Sequence, residues 1–375
     1  MWWVRRSPHL HFRLEDDQVV AASPLTGGEV VLARDELEVL LDLPSGDWVE
    51  AGSVPAARAL AERGLAVTDE AVGPLADLRA RDELLSTVPW HPAAAAYHFT
   101  TRWRDVELRR AGSSELLRAP EVEVDEFIGR HGAPPPAFHE VERPLGVVEL
   151  PLVEPDGGLF EALYARRTAR SFDGAPLALE DLAVVLRTVF GAHGQAPIHR
   201  ELHGLRKTSP SGGGLHPTEA YPLLANVEDI PPGLYHYRAR DHALELLEPL
   251  DRASCRSALV EFTAGQTYLG GAQAAVVLTS RFEWSFWKYR VHPKAYAAAL
   301  VDAGHLSQTL YLVCAARGLG AFVTLAVNEA SIDDRLGLDG VTEGTVAVCG
   351  FGRPAGVRSL LEPEFLPYVP RTTTF

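Results

Sequence analysis

Cysteine and lysine are both scarce in this 375-residue chain, and each scarcity excludes something. The three cysteines, Cys255, Cys314 and Cys349, are widely spaced and two lie in apolar runs. Neither a disulfide framework nor a zinc pattern follows, no metal site is expected, and a reducing cytoplasm is the expected compartment. No apolar run approaches the ~20 residues of a membrane-spanning helix. The first residues, through Phe12, show no apolar core followed by a small-residue cleavage site, so no secretory signal is expected there. Positive charge is short too: 35 Lys and Arg stand against 50 Asp and Glu, a net charge of −15. That balance opposes polyanions, which makes nucleic acid and anionic membranes poor partners and a neutral or basic partner a better one.

The three lysines are Lys207, Lys288 and Lys294, in a chain that otherwise uses Arg for positive charge. Lys288 stands beside Tyr289 in an aromatic setting of Phe282, Trp284, Phe286 and Trp287. A desolvated ammonium releases its proton more easily, and so does a phenol near a cation, so this pair is a candidate for proton transfer. A snorkelling Lys beside a core Tyr is the structural alternative. After the pair comes a long helix. Tyr296, Leu300, Ala303, Ser307, Leu310 and Cys314 recur at spacings of three and four, with Leu306, Val313 and Ala316 widening the apolar face. It ends on the tight turn Gly318-Leu319-Gly320.

Three regions follow from the rest of the pattern. Residues 1–118 read as a front end: strands from His11 to Val20 and Glu29 to Leu32, helices from Asp35 to Leu43 and Val54 to Arg63, a strand at 65–67, then helices from Leu75 to Leu117. The first part suits a winged-helix-like module, but Asp and Glu stand where a DNA-reading helix needs Lys and Arg, so peptide binding by strand addition is expected. Residues 119–155 are rich in Pro and acidic residues and read as an extended connector. The third region, 156–375, alternates helices (Gly158 to Arg166, Leu179 to Phe190, Asp251 to Gly265, Glu329 to Leu336 capped by Asn328) with strands near 221–227, 233–237, 244–247, 274–280, 321–327 and 345–349. The stretch from Ala192 to Lys207 reads as a polar loop, and the tail from Ser359 as an arm.

Within that third region Arg166, Arg167, Thr168 and Arg170 put three forked donors and a hydroxyl in five residues, which suits a phosphate dianion or a compensated helix C-terminus. Ser209-Pro210-Ser211-Gly212-Gly213-Gly214-Leu215-His216-Pro217 allows close backbone approach to a ligand, or is a flexible turn. His91 and His98 lie seven apart, and His193, His199 and His203 share the polar loop. Neither group has the further ligands a metal requires, so both read as ordinary histidines.

Four separated stretches agree in order: Arg166 to Phe172, Ser209 to Pro217, Gly318 to Gly320, and Gly350-Phe351-Gly352-Arg353. Together they resemble the FMN-binding elements of the nitroreductase superfamily, over about residues 156–355. Lys288-Tyr289, Ala295-Tyr296 and Gly304-His305-Leu306-Ser307-Gln308 resemble its azoline dehydrogenase branch, which makes thiazoles and oxazoles in ribosomally made peptides. The resemblance implies an α+β fold, a mostly antiparallel central sheet flanked by helices, in an intertwined homodimer with FMN at the interface. Arg166, Arg167, Thr168 and Arg170 would hold the phosphate and ribityl from one subunit. Pro210, Ser211, Gly212 and Leu215 would line the isoalloxazine from the other, Gly318, Leu319 and Gly320 would lie against it, and Arg353 would reach the phosphate.

The same resemblance makes Lys288 and Tyr289 the catalytic pair, one removing a proton from an azoline while hydride passes to flavin N5. The precursor peptide is then the partner, with other peptide-maturation enzymes as companions. His216 and Thr309 depart from the family's usual residues, on the substrate side. Two rivals are an NAD(P)H-dependent nitro or quinone reductase and a non-catalytic peptide-binding subunit of a maturation complex.

Overall fold

The computed structural model describes residues 2–108, 121–135, 155–200 and 202–355, with positions 138, 143, 145–148, 150, 151 and 153. The arm expected from Ser359 lies outside the described residues. The chain opens with strands Trp3–Arg6 (β1), His11–Glu15 (β2), Gln18–Ser23 (β3) and Gly28–Leu32 (β4). Helix Arg34–Asp42 (α1), strand Val49–Glu50 (β5), helix Ala57–Glu62 (α2) and strand Ala66–Thr68 (β6) follow. They make two three-stranded sheets, β2-β3-β4 and β5-β1-β6, around a core that includes Val4, Leu32, Leu40, Leu60 and Leu65. Where one strand is expected from His11 to Val20, the chain turns at Asp16 (φ 51) and pairs β2 with β3. Consecutive aspartates explain the turn, because short polar side chains tolerate the left-handed region.

Helices Pro74–Thr87 (α3) and Pro92–Thr101 (α4) lead out of this module. Leu75 of α3 belongs to the module's core, whereas Leu85, Val88, Trp90 and Phe99 belong to the main one. Helix Glu121–His131 (α5) occupies part of the stretch expected to be extended. Proline occurs at positions 120 and 134 but nowhere between them, so nothing in that window interrupts a helix.

Beyond it come helices Gly158–Ala165 (α6) and Leu179–Phe190 (α7). Strands Gly194–His199 (β7) and Leu202–Arg206 (β8) then form a hairpin where a polar loop is expected. All of β7 is exposed, so no alternation of apolar and polar residues marks it as a strand. Thr218–Leu224 (β9), Gly233–Arg238 (β10), Ala243–Pro249 (β11), Ala274–Arg281 (β12), Gly320–Thr324 (β13) and Glu343–Gly352 (β14) build the central sheet. Its order is β11-β10-β9-β12-β14-β13 with every neighbouring pair antiparallel. Helices Arg252–Phe262 (α8), Phe282–Lys288 (α9), Ala295–Ala316 (α10) and Glu329–Leu336 (α11) flank it.

The period of two along β12 shows how the layers form. Ala274, Val276 and Leu278 enter the core shared with α7 and α10, while Ala275 and Val277 enter the core shared with α8 and α11. Within α10 the buried stripe is Ala295, Ala299, Asp302, Ala303, Leu306, Leu310, Tyr311 and Cys314. Leu300, expected inward, is 38% exposed. A helix apolar on nearly every side does not reveal its inner face by spacing. Asn328 precedes α11 as expected but does not cap it. Its amide instead donates to the Val106 and Glu261 carbonyls and accepts from Val106 N–H.

His98 is buried where α4 meets α10 and β14, with Nδ1 3.1 Å from the Tyr296 hydroxyl and Nε2 3.0 Å from the Gly340 carbonyl. Burial, reinforced by the nearby Arg102, holds its pKa well below the ordinary 6.5. The native state therefore binds fewer protons than the unfolded chain, and the resulting stability is present above pH 6.5 and lost as pH falls. Thermal or urea unfolding of the wild type should lose up to about 1.4 kcal/mol per pH unit below that point. His98→Gln should lack that part of the slope.

Candidate active site

The loop with three successive glycines is fastened to α10 by one carboxylate. Asp302, 4% exposed, accepts the Ser211 hydroxyl at 2.5 Å through Oδ2 and the Gly212 N–H at 2.9 Å through Oδ1. Ser211 Oγ in turn accepts the His216 N–H at 2.8 Å. One turn further along α10 the Pro210 carbonyl lies 3.2 Å from His305 Nδ1, and a turn beyond that the Ser209 hydroxyl lies 2.6 Å from that of Thr309. The far end of the loop is held by Trp284 Nε1, which donates to the Leu215 carbonyl at 2.9 Å. Gly213 (φ +63) lies between these anchors, and a side chain there would collide with the Tyr289 hydroxyl and come within 2.8 Å of Lys288 Nζ. Lys288 Nζ donates to the Gly213 carbonyl at 3.0 Å. Both members of the expected pair therefore converge on one glycine.

A second cluster gathers at the other end of α10. The Arg166 guanidinium lies 5.3 Å from the Tyr311 ring centre, and the Thr168 hydroxyl is 3.1 Å from the Tyr311 hydroxyl. Ala169 N–H donates to the Ala321 carbonyl at 2.8 Å, so the Arg-rich segment runs beside the start of β13. A Cβ on Gly320 would press on Ala169, while Gly318 (φ +69) has open space around it. The Gly318-Leu319-Gly320 turn and the Arg segment are thus one structural unit. Arg167 folds back on the carbonyls of Tyr164 and Arg166. Arg353 reaches the same region, but its Nε is 3.0 Å from Asp173 Oδ2, a hydrogen bond that holds the Asp173 carboxyl below its usual range.

The two clusters hold different sides of α10. Tyr311 is nine residues from Asp302, half a turn around the axis, and two residues from Thr309, about 200° around it. The loop and the Arg segment therefore lie on opposite faces of the helix. His216, beside the loop, has a pKa lowered by burial and by Lys207, while Asp302 and the Leu205 carbonyl oppose the shift.

Residues 163–353, just over half of the chain, match the model of the Nitroreductase family. The chain belongs to the nitroreductase family. It is similar to the trifolitoxin-processing protein TfxB of Rhizobium leguminosarum bv. trifolii, 26% identical over 266 residues, covering 68% of this chain and 69% of TfxB. The putative nitroreductase MJ1384 of Methanocaldococcus jannaschii is 24% identical over 175 residues, 46% of this chain and 80% of that protein. A chain of the E. coli microcin synthetase McbBCD complex, solved with truncated pro-MccB17 bound, superposes with a TM-score of 0.52 at 20% identity, covering 76% of this chain and 98% of that one. This last likeness agrees with the nitroreductase fold seen in the central sheet and its flanking helices.

Asp302, Gly213 and Tyr311 were not singled out by the sequence pattern. Asp302 carried a signal nonetheless, as the one Asp, Glu, Lys or Arg within Ala295–Ala316. A charge inside an apolar helix requires partners, and here they are the loop's hydroxyl and N–H. Ser211→Ala would leave Asp302 Oδ2 and the His216 N–H unpaired. The expected loss is about 1–3 kcal/mol in urea unfolding. Ser211→Thr, which keeps the hydroxyl, should lose much less.

Proposed function

We propose that this nitroreductase is an FMN-dependent dehydrogenase that oxidises a residue or heterocycle of a ribosomally made peptide, an azoline to an azole being the reaction favoured. The observation that carries this reading is the convergence of Lys288 and Tyr289 on Gly213, within the loop expected to line the flavin. A reductase acting on small nitro compounds or quinones has no need of a Lys–Tyr pair at that place. The trifolitoxin-processing relative supports peptide maturation as the setting.

The residues present fit FMN. Arg166 and Arg167 form no ion pair among the described residues, and with Arg170 and the Thr168 hydroxyl they would hold its phosphate and ribityl. Pro210, Ser211, Gly212 and Leu215 would line the ring, with Gly318, Leu319 and Gly320 against it and Arg353 near the phosphate. Ser211 would act through the loop's shape, since its hydroxyl is already engaged by Asp302 and His216. When bound, the flavin supplies a hydride acceptor at N5. Lys288 or Tyr289 would take the ring proton of the substrate, and aromatisation of the product favours the forward direction. Lys288 is hydrogen-bonded to the Gly213 carbonyl and the Tyr289 hydroxyl lies beside Gly213, which would place the base before substrate arrives.

The opposite-face arrangement on α10 supports a homodimer, in which the loop of one copy meets the Arg segment of its partner. Helix α6 presents Leu159 (62% exposed) and Tyr164 (63% exposed) together with Phe160 and Leu163, an apolar face suited to that partner. The front end, residues 1–118, would hold the peptide by strand addition to the β2-β3-β4 sheet, whose outer strands β2 and β4 each pair on one side only among the described residues. The connector, 119–155, would join it to the FMN domain of 156–375. Other maturation enzymes would work on the same peptide. No helix among the described residues is long and apolar enough to cross a membrane.

Purified protein should carry a yellow flavin that NADPH does not bleach under anaerobic conditions. Rapid bleaching would point to the nitro or quinone reductase instead, and no flavin after reconstitution would point to a binding subunit. Lys288→Ala and Tyr289→Phe should keep the flavin spectrum and lower peptide oxidation about 10²–10⁴-fold. The paired change Arg166→Ala with Arg170→Ala should lose flavin. Full activity of both Lys288 and Tyr289 variants on the true substrate would refute the base assignment.

A further inference from the structure

The turn that carries Lys288 and Tyr289, between α9 and α10, is held at three points by two residues of another region. Trp90, in the corner between α3 and α4, packs on Phe286 (ring centres 4.6 Å apart) just before the turn and on Tyr296 (5.8 Å) just after it. Between these contacts the Pro89 carbonyl accepts the Val291 N–H at 3.0 Å. Trp90 is itself 7% exposed, fixed by Nε1 donating to the Val341 carbonyl at 3.1 Å and by rings of Phe282, His98 and Phe99 around it. Val291 has φ +52, a left-handed conformation that is a true outlier for a β-branched residue. Its side chain is 51% exposed, so packing of that side chain does not account for the conformation. Local strain of this kind persists where the surroundings impose it, and the Pro89 carbonyl is what meets this residue's backbone.

From this geometry we infer that Pro89, Trp90 and Val291 are positioning residues that aim Lys288 and Tyr289 at Gly213. The inference rests on the catalytic role proposed above for that pair, but its geometric part stands apart from any reaction. The Trp90 contacts fix where the turn leaves α9 and enters α10. The Pro89–Val291 hydrogen bond fixes its depth. With both set, the Lys288 ammonium reaches the Gly213 carbonyl and lies 5.5 Å from the Tyr289 ring centre. Helices α3 and α4 thereby form the back wall of the reaction site as well as the link to the N-terminal module.

The scarcity of lysine makes this directly measurable. Reductive methylation with ¹³C formaldehyde labels Lys207, Lys288 and Lys294, and the Lys288 signal is identified by its loss in Lys288→Arg. Lys288 and Lys294 are both exposed, and the proximity of Lys288 to the Tyr289 ring should separate the two signals. Val291→Pro deletes the N–H and forbids a positive φ, whereas Val291→Gly keeps the N–H and accepts the left-handed backbone. The Lys288 signal should move onto the Lys294 position in Val291→Pro and stay in place in Val291→Gly, with Lys207 unchanged in both. Peptide oxidation by Val291→Pro should fall about 10–100-fold in kcat, with KM changed less than about twofold, and Val291→Gly should remain near wild type. A Lys288 signal unmoved in Val291→Pro of native far-UV circular dichroism would overturn the inference. Should that variant not fold, Trp90→Phe, which loses the indole N–H and part of both ring contacts, provides the same readout: an unmoved signal overturns the inference and a moved one supports it. Failure of the catalytic reading would look different, since Lys288→Ala would then oxidise peptide normally while the methyl-lysine result stood.

Discussion

One buried carboxylate, Asp302, determines the shape of the site. It is surrounded by α10's apolar stripe, and its two oxygens take a hydroxyl and an N–H from the same loop. Burying a charge is tolerated only when its hydrogen bonds are made, so the loop must close on the helix in one register. That register places Gly213 where no side chain fits, under Lys288 and Tyr289. The surroundings of the pair thus depend on an acid that contacts neither of its members through any described hydrogen bond.

The second organising contact is aromatic. Trp90 brings together rings from α9, α10 and α4 at 4.6–5.8 Å, a range in which edge and tilted packing is favourable. Through this cluster a helix pair near one end of the chain packs against the Lys288–Tyr289 turn some two hundred residues later. His98 belongs to the same cluster and resists protonation there, so the cluster is also an acid-sensitive point of the core.

Much of the fold was legible in the sequence because periodicity was strong where the core is. Leu179–Phe190 and Glu329–Leu336 coincide with their expected limits, and the strands of the central sheet lie within a few residues of theirs. The β7–β8 hairpin was not legible, since its β7 strand buries nothing, and neither was the inner face of α10, since almost every position there is apolar. In the site, the Lys288–Tyr289 pair, the glycine loop and the Arg segment could be read from composition and resemblance. Their placement relative to each other could not, because it depends on which side of α10 each one packs. Asp302 was visible as a solitary charge in an apolar helix, but its partners are ninety residues away in sequence.

The course of α3 bears on how such a chain is assembled over evolutionary time. Leu75 in its first turn lies in one core and Leu85 in its last turn lies in another, about 15 Å apart at 1.5 Å per residue. Recombination that exchanged the N-terminal sheets for another recognition module would succeed with a crossover ahead of Pro74. A crossover beyond α4 would import a foreign corner in place of Pro89 and Trp90, and the recipient would inherit its new module without the contacts that hold the Lys288–Tyr289 turn.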